Sequence, residues 1–184
     1  VKAAGSHDVL LNKFKNEKIP IMVGTQMVTK GLNFENVTLI GVVSADQSLY
    51  CGDYRSGERT FSLITQVIGR SGRGSKPGRA IIQTFTPQNE IIRLAAQQDY
   101  EGFFKTELSL RRLQDTPPFA DIIAITASGT VESAVIKCCT DICTVVKASL
   151  RNRSDVRILG PAPLAVVRVN NRYRYRVNIC CTAD

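Results

Sequence analysis

The 184-residue chain is 43% hydrophobic and 22% charged, the balance of a folded protein with room for one large domain or two small ones. No apolar run reaches the length of a membrane span and no basic-then-apolar leader opens the sequence, so a soluble, cytoplasmic protein with no membrane partner is expected. A net charge of +8 favours anionic partners.

Residues 7–17, HDVLLNKFKNE, place Val9, Leu10 and Phe14 at helical spacing, with Ser6 ahead of them as a cap. Pro20 then opens the apolar run IMVG, and VTLIGVV (37–43) is a second. Both read as central strands of a parallel sheet, buried on both faces. Glu58 to Val67 predicts a helix, the run GRSGRGSKPG breaks it, and AIIQTF resumes a strand. Strand and helix alternate, which marks an α/β layer. Two helical stretches span Asn89 to Leu113 and end before Pro117-Pro118, because proline lacks the amide hydrogen and forces its predecessor to be extended. A domain boundary is placed there, giving domains 1–115 and 116–184.

Beyond the boundary DIIAITASG reads as a strand, VESAVIKCCTDICTVVKASL as one long helix, and VRIL, LAVVRV and RYRVNICC as strands, a small α+β unit. Pro161 and Pro163 are read as setting the approach to the strand that follows them. Six cysteines include two adjacent pairs, but none shows the C-x2-C spacing of a zinc knuckle. They read as small buried hydrophobes with free thiols, and no metal site is expected.

Two segments carry chemistry. In Gln66-Val67-Ile68-Gly69-Arg70-Ser71-Gly72-Arg73, at a helix end, Arg70 and Arg73 are candidates to reach a γ-phosphate as arginine fingers, and Gln66 to orient water. Spacings of four and three would put Gln66, Arg70 and Arg73 on one helical face. The loop Gly24-Thr25-Gln26-Met27-Val28-Thr29-Lys30-Gly31-Leu32-Asn33 leaves the carboxyl end of a predicted strand, where ligands of open α/β sheets bind. Thr25, Gln26 and Lys30 are its candidate DNA contacts, Gly31 and Asn33 its nucleotide contacts. Asp46, at the end of the second strand, either faces such a cleft or caps its own loop.

These two segments resemble motifs V and VI of superfamily 2 helicases. With ERTFSLITQVIGRSGRG, PPF (117–119) and ILGPAP (158–163), the chain from Ser6 to Ile179 resembles the PriA family of primosomal replication-restart helicases. The resemblance implies a RecA-like second helicase lobe followed by a small α+β C-terminal domain. The implied activity is that of an ATP-dependent 3′-to-5′ DNA helicase that recognises stalled forks and starts primosome assembly. ATP and Mg²⁺ are its implied cofactors. Forked and single-stranded DNA, single-stranded DNA-binding protein and primosome proteins are its implied partners. The sequence contains no G-x-x-x-x-G-K-[ST] loop and no D-E-x-H box, so it is expected to be the C-terminal fragment of a longer enzyme and to hydrolyse no ATP alone. The family's zinc-binding cysteines have no counterpart in this chain, and Asn33 stands where family members commonly carry Asp.

Between Arg151 and Arg176 seven arginines face one acid, Asp155. In RYRYR an extended backbone puts Arg172, Arg174 and Arg176 on one face, for DNA phosphates, and Tyr173 and Tyr175 on the other, for the core. Arg172 and Arg176 are also candidates for an acidic protein tail, with Arg168, Asn170 and Asn171 alongside. The competing reading is a basic edge strand, on which charge discourages aggregation. Two further functions compete with the motor reading. One is a DNA- and protein-docking module without motor activity. The other is an unrelated α/β nucleotide-binding protein, which would need a phosphate-cradling glycine loop that the sequence lacks.

Overall fold

The computed structural model describes residues 6–17, 19–25, 37–70 and 77–182. Their elements are α1 (Ser6–Asn16), β1 (Leu39–Val42), α2 (Ser56–Ile68), β2 (Arg79–Ile82), α3 (Glu90–Gln97), α4 (Tyr100–Leu113), β3 (Ala120–Gly129), α5 (Glu132–Ser149), β4 (Val156–Val169) and β5 (Arg172–Thr182). They form two units. One runs to Leu49 and resumes over Gly57–Tyr100, and the other is Tyr50–Ser56 with Glu101–Asp184, so the expected boundary after residue 115 lies inside the second. Among the described residues no helix is long and apolar enough to cross a membrane.

In the first unit β1 and β2 pair in parallel, Leu39 opposite Arg79 through Val42 opposite Ile82, with α2 in the connection between them. That is the βαβ unit which strand-helix alternation requires. The expected strand at IMVG is not formed. Residues 21–25 are irregular, Ile21 is 74% and Val23 92% exposed, and among the described residues no ladder partner satisfies their backbone groups. Apolar content alone does not make a strand without a neighbour to bond. Nor is β1 covered on both faces, since Leu39, Val43 and Ile81 are all more than half exposed. Helix α1 starts at Ser6 itself rather than after it.

The ends of β1 and β2 are fastened through Asp46. A short 3-10 turn (Ala45–Ser48) follows β1, and its first amide donates to Gln83 O at 3.0 Å. The buried Asp46 carboxylate accepts from Thr84 Oγ1 at 2.7 Å, Thr86 Oγ1 at 2.6 Å and the Phe85 amide at 2.9 Å. Of the two roles open to Asp46 this is the structural one: its oxygens are occupied by the residues that follow β2. Hydrogen bonds from Thr86 and Thr84 and then from the Phe85 amide stabilise the ionised form and hold its pKa at about 2, below the ordinary 3.8. Helix α3 is capped by Asn89, whose side chain accepts from the Ile91 and Ile92 amides.

In the second unit β3, β5 and β4 form an antiparallel sheet in that order, with α5 connecting β3 to β4. Cys139 and Cys143 of α5 pack on Val177 of β5, with Ala127, Ile142, Ile158 and Tyr175 around them. Asn170 and Asn171, both at positive φ, make the two-residue turn between the paired Val169 and Arg172, a conformation asparagine tolerates. The two strands expected at VRIL and LAVVRV are one. On an edge strand prolines need donate nothing to a ladder, and register shifts between Leu159 and Ala162 and between Pro163 and Arg168 absorb the irregular residues. Pro161 and Pro163 therefore lie inside β4 rather than before a strand. Gly160, at φ +117°, sits where a Cβ would come within 2.8 Å of Arg176 O, so only glycine fits the bulge against β5.

Two outcomes are expected. Val177→Ala removes two methyl groups from a site with no exposure and should lower stability by about 2 kcal/mol, read as a lower urea midpoint at unchanged slope. Asp46→Asn should lower the thermal midpoint at neutral pH, because its NH₂ cannot accept from the Phe85 amide. Since the folded pKa is depressed, the parent's advantage is complete above 3.8 and disappears as pH falls to about 2, where the two midpoints should converge. A gap of constant size over that range would mean the charge of Asp46 is irrelevant.

Candidate functional site

Helix α2 carries the glutamine and arginine singled out by sequence. Thr60, Phe61 and Ile64 form its buried stripe, while Gln66 in the last turn is exposed. The helix then tightens. Gly69 N donates to Thr65 O and Arg70 N to Val67 O, each at 3.0 Å, so the last bond spans three residues and not four. The single face expected for Gln66 and Arg70 assumed a continuous α-helix. The ladder ends at Ile68 and Arg70 lies in the turn beyond it, half-buried. Both residues stand at the same end of α2, and Arg73 lies outside the described residues.

Of the loop candidates only Thr25 is described, exposed at the end of an irregular stretch. Gln26, Lys30, Gly31 and Asn33 lie outside the described residues.

The arginine segment of the second unit is sorted by the pleat. Strand β5 has ladder partners on both sides, β3 and β4, which rules out the edge-strand reading. Tyr175 and Val177 face α5, and Tyr175 Oη donates to Glu132 Oε1 at 2.8 Å, a bond that raises the phenol pKa. Arg172, Arg174 and Arg176 therefore share the opposite face. Their cross-strand neighbours are short: Ser128 opposite Arg174, and Thr126 and Ala162 on either side of Arg176, all exposed. Arg172 Nη2 donates to Ser128 O at 3.0 Å. The side chains of Arg174 and Arg176 make no hydrogen bond or ion pair among the described residues, so their guanidinium groups are available to an anion.

The other arginines are differently employed. Arg168 pairs with Tyr173, so it lies on the tyrosine face, its guanidinium 5.0 Å from the ring centroid and bonded to Asn171 Oδ1. Grouping it with Arg172 by proximity in sequence ignored the turn that carries the chain from β4 to β5. Arg153 forms an ion pair with Asp155 and holds that carboxyl below the usual range. Arg157 donates to Gln114 O and pairs with Asp115 at 3.4 Å.

None of the six cysteines is in a disulfide. Cys139 and Cys143 are in the core, Cys138 is exposed, and Cys181 Sγ donates to Asp155 Oδ2 at 3.4 Å, which raises its pKa. They do not converge, so the described residues do not fit a tetrahedral thiolate site.

Sequence reasoning missed Tyr54 and Arg111. Arg111 places its guanidinium 5.3 Å from the Tyr54 ring centroid, a contact between residues too far apart in sequence for any periodicity to signal.

Comparison with known proteins accounts for both units. The family model described as Helicase conserved C-terminal domain matches residues 4–75, and that described as Primosomal protein N C-terminal domain matches residues 112–183. The chain is 44% identical over 172 residues to the replication restart protein PriA of Bacillus subtilis, covering 94% of this chain and 21% of the relative. It is 42% identical to that of Synechocystis, with coverage of 94% and 21%, and 37% identical to that of Rickettsia conorii, with 92% and 26%. The chain thus spans about a fifth to a quarter of the length of these relatives. With a RecA-like second helicase lobe joined to a primosomal C-terminal domain, the chain belongs to the PriA family of replication restart proteins.

Proposed function

We propose that this chain supplies the second motor lobe and the docking domain of an ATP-dependent 3′-to-5′ DNA helicase that recognises stalled forks and initiates primosome assembly. The observation that carries the reading is the pair Arg174 and Arg176. Both side chains are half-buried on the face of a central strand bordered by Thr126, Ser128 and Ala162, and among the described residues their guanidinium groups make no hydrogen bond or ion pair. A sheet face of this kind can follow a phosphate backbone, with Arg172 extending the row.

In the lobe, Arg70 and Arg73 would reach the γ-phosphate of ATP held with Mg²⁺ by the other lobe, and Gln66 would order the attacking water. When bound, that nucleotide supplies the γ-phosphoryl group transferred to water, with ADP as the leaving group. The chain's own groups stabilise charge and bias opening and closing of the lobes. Thr25, Gln26 and Lys30 would track the strand being moved, and Gly31 and Asn33 would approach the nucleotide. The second unit would also take the acidic tail of single-stranded DNA-binding protein, on Arg172 and Arg176, bringing the motor to exposed single strands. As a docking module the chain would bind DNA with no nucleotide and turn over no ATP.

The test is fluorescence anisotropy of the chain with labelled forked DNA across a salt series. Replacing Arg174 and Arg176 together by Ala should weaken binding and flatten the log–log salt dependence by about two, one for each lost phosphate contact. Binding unchanged in strength and salt slope would remove DNA from this face and return it to the Thr25–Lys30 loop.

A further inference from the structure

The three-stranded sheet of the second unit has β3 at one edge and β4 at the other, and the two edges are built differently. Strand β4 carries Pro161 and Pro163, shifts register twice against β5, and bears Arg157 and Arg168. Proline, bulges and charge are the features that keep an edge from pairing with another strand. Strand β3 has no proline, no bulge and no basic residue. Its ten residues stay in unbroken register with β5 from Ala120 to Gly129, and Asp121 is their one charge. Alternate residues of β3 direct N–H and C=O away from β5, and among the described residues no further strand receives them. Near the far end Ser128 O accepts from Arg172, which leaves the stretch from Ala120 to Thr126 for pairing.

Apolar surface gathers on the same side of the unit. Ile123 has the parity of Ala127, which packs against the α5 core, yet it is 61% exposed. A groove along α5 is lined by Ala134, Cys138, Ile142 and Val145, and Val145 is 64% exposed. The other flank of the helix, with Ser133, Thr140, Thr144 and Lys147, is polar. Strands β3 and β4 are parallel to each other, since each is antiparallel to β5, and α5 joins them. In the right-handed crossover that such connections take, the apolar flank of α5 looks toward β3 and the polar flank toward β4.

We propose that the β3 edge is a self-association surface, through which two copies of this chain pair β3 with β3 in antiparallel fashion and merge their sheets in the order β4-β5-β3-β3-β5-β4. The edge is complementary to itself. A two-fold axis perpendicular to the sheet at Ala124 sets Ile123 of one copy opposite Ile125 of the other, and Asp121 opposite Ala127, so the acid never meets its symmetry mate. The two β5 strands then lie roughly 14 Å apart, three strand spacings, and the apolar flanks of the two α5 helices face each other across the axis. An unrelated strand would use the same backbone groups but bring no matching flank for α5, so a second copy is the occupant that satisfies both features. Each copy offers one unguarded edge, and the pairing therefore closes at two instead of propagating into a filament. The association needs neither nucleotide nor DNA and is independent of the function proposed above.

Sedimentation velocity of the whole chain over a dilution series, without DNA, tests it. The parent should pass from monomer to dimer as concentration rises, and a parent still monomeric at about 0.5 mM would overturn the proposal. Ile123→Lys puts a charge at the pairing edge and should raise the dissociation constant at least about tenfold, and Thr126→Lys, on the opposite face of the same edge, should act in the same direction. Val166→Lys, at a position 59% exposed on β4, should leave it at the parental value. Circular dichroism and thermal midpoints establish that each variant is folded. Because each copy carries a net charge of +8, added salt should strengthen the dimer, the reverse of its effect on a nucleic-acid complex. Hydrogen exchange of β3 amides should slow on dimerisation while that of β4 does not change. A dimer indifferent to both β3 lysines, or equally sensitive to Val166→Lys, would move the contact off this edge. Dimerisation that leaves β3 exchange unaltered, or that salt dissociates, would overturn strand pairing as its basis.

Discussion

Strand β5 is hydrogen-bonded on both edges, and in the second unit that fact governs the chemistry. A strand with two neighbours cannot rotate about its axis without breaking both ladders, so its side chains alternate between a face against α5 and a face away from it. Val177 is fully buried on the first face. Burying Val177 and packing Tyr175 fixes the parity, and parity then dictates that Arg172, Arg174 and Arg176 emerge together. A slip of one residue would put guanidinium groups into the Cys139–Cys143 core. The desolvation cost of three unpaired charges there exceeds anything a core of this size could offset. The basic face and the hydrophobic core thus result from a single choice of register.

The first unit is organised by a different constraint. Two short parallel strands supply few backbone bonds, and one face of their sheet is exposed at Leu39, Val43 and Ile81. Asp46 compensates locally, gathering two hydroxyls and an amide from the segment after β2 and so closing the end of the sheet from the side of β1. Helix α2 carries Gln66 in its last turn and leads into the tighter turn that holds Arg70.

Elements with strong internal periodicity or punctuation were legible in the sequence. Helix α2, the two helices α3 and α4 and the long α5 all announce themselves within a window of one or two turns, whereas the cap that Asn89 supplies to α3 was not singled out. So does the split of RYRYR, because alternation is a property of any extended backbone. What was not legible depended on partners distant in the chain. IMVG has the composition of a strand and no ladder. Gly160, Pro161 and Pro163 look like a boundary and instead form a bulge, because β4 lies at an edge where missing donors cost nothing. Arg168 and Arg172 look like neighbours in one patch until the turn at Asn170 and Asn171 puts them on opposite faces. Asp46 and the Tyr54–Arg111 contact involve residues about forty or more apart, at which distance composition carries no signal.

The distribution of arginine partners gives the net positive charge its meaning. Local charge density was highest from Arg151 to Arg176, yet the structure spends those residues unequally. Arg153 and Arg157 are matched to Asp155 and Asp115, and Arg168 is laid over Tyr173. Arg111, outside the dense segment, is the most constrained, held by Glu107, Pro117 and Tyr54. A matched guanidinium would have to give up its partner before binding an anion, and that exchange in water yields little free energy. An unmatched one would release only condensed counterions from the nucleic acid. Among the described residues the guanidinium groups left without a hydrogen bond or ion pair in β5 are those of Arg174 and Arg176, whose cross-strand neighbours are short, a distinction that counting charges along the sequence does not make.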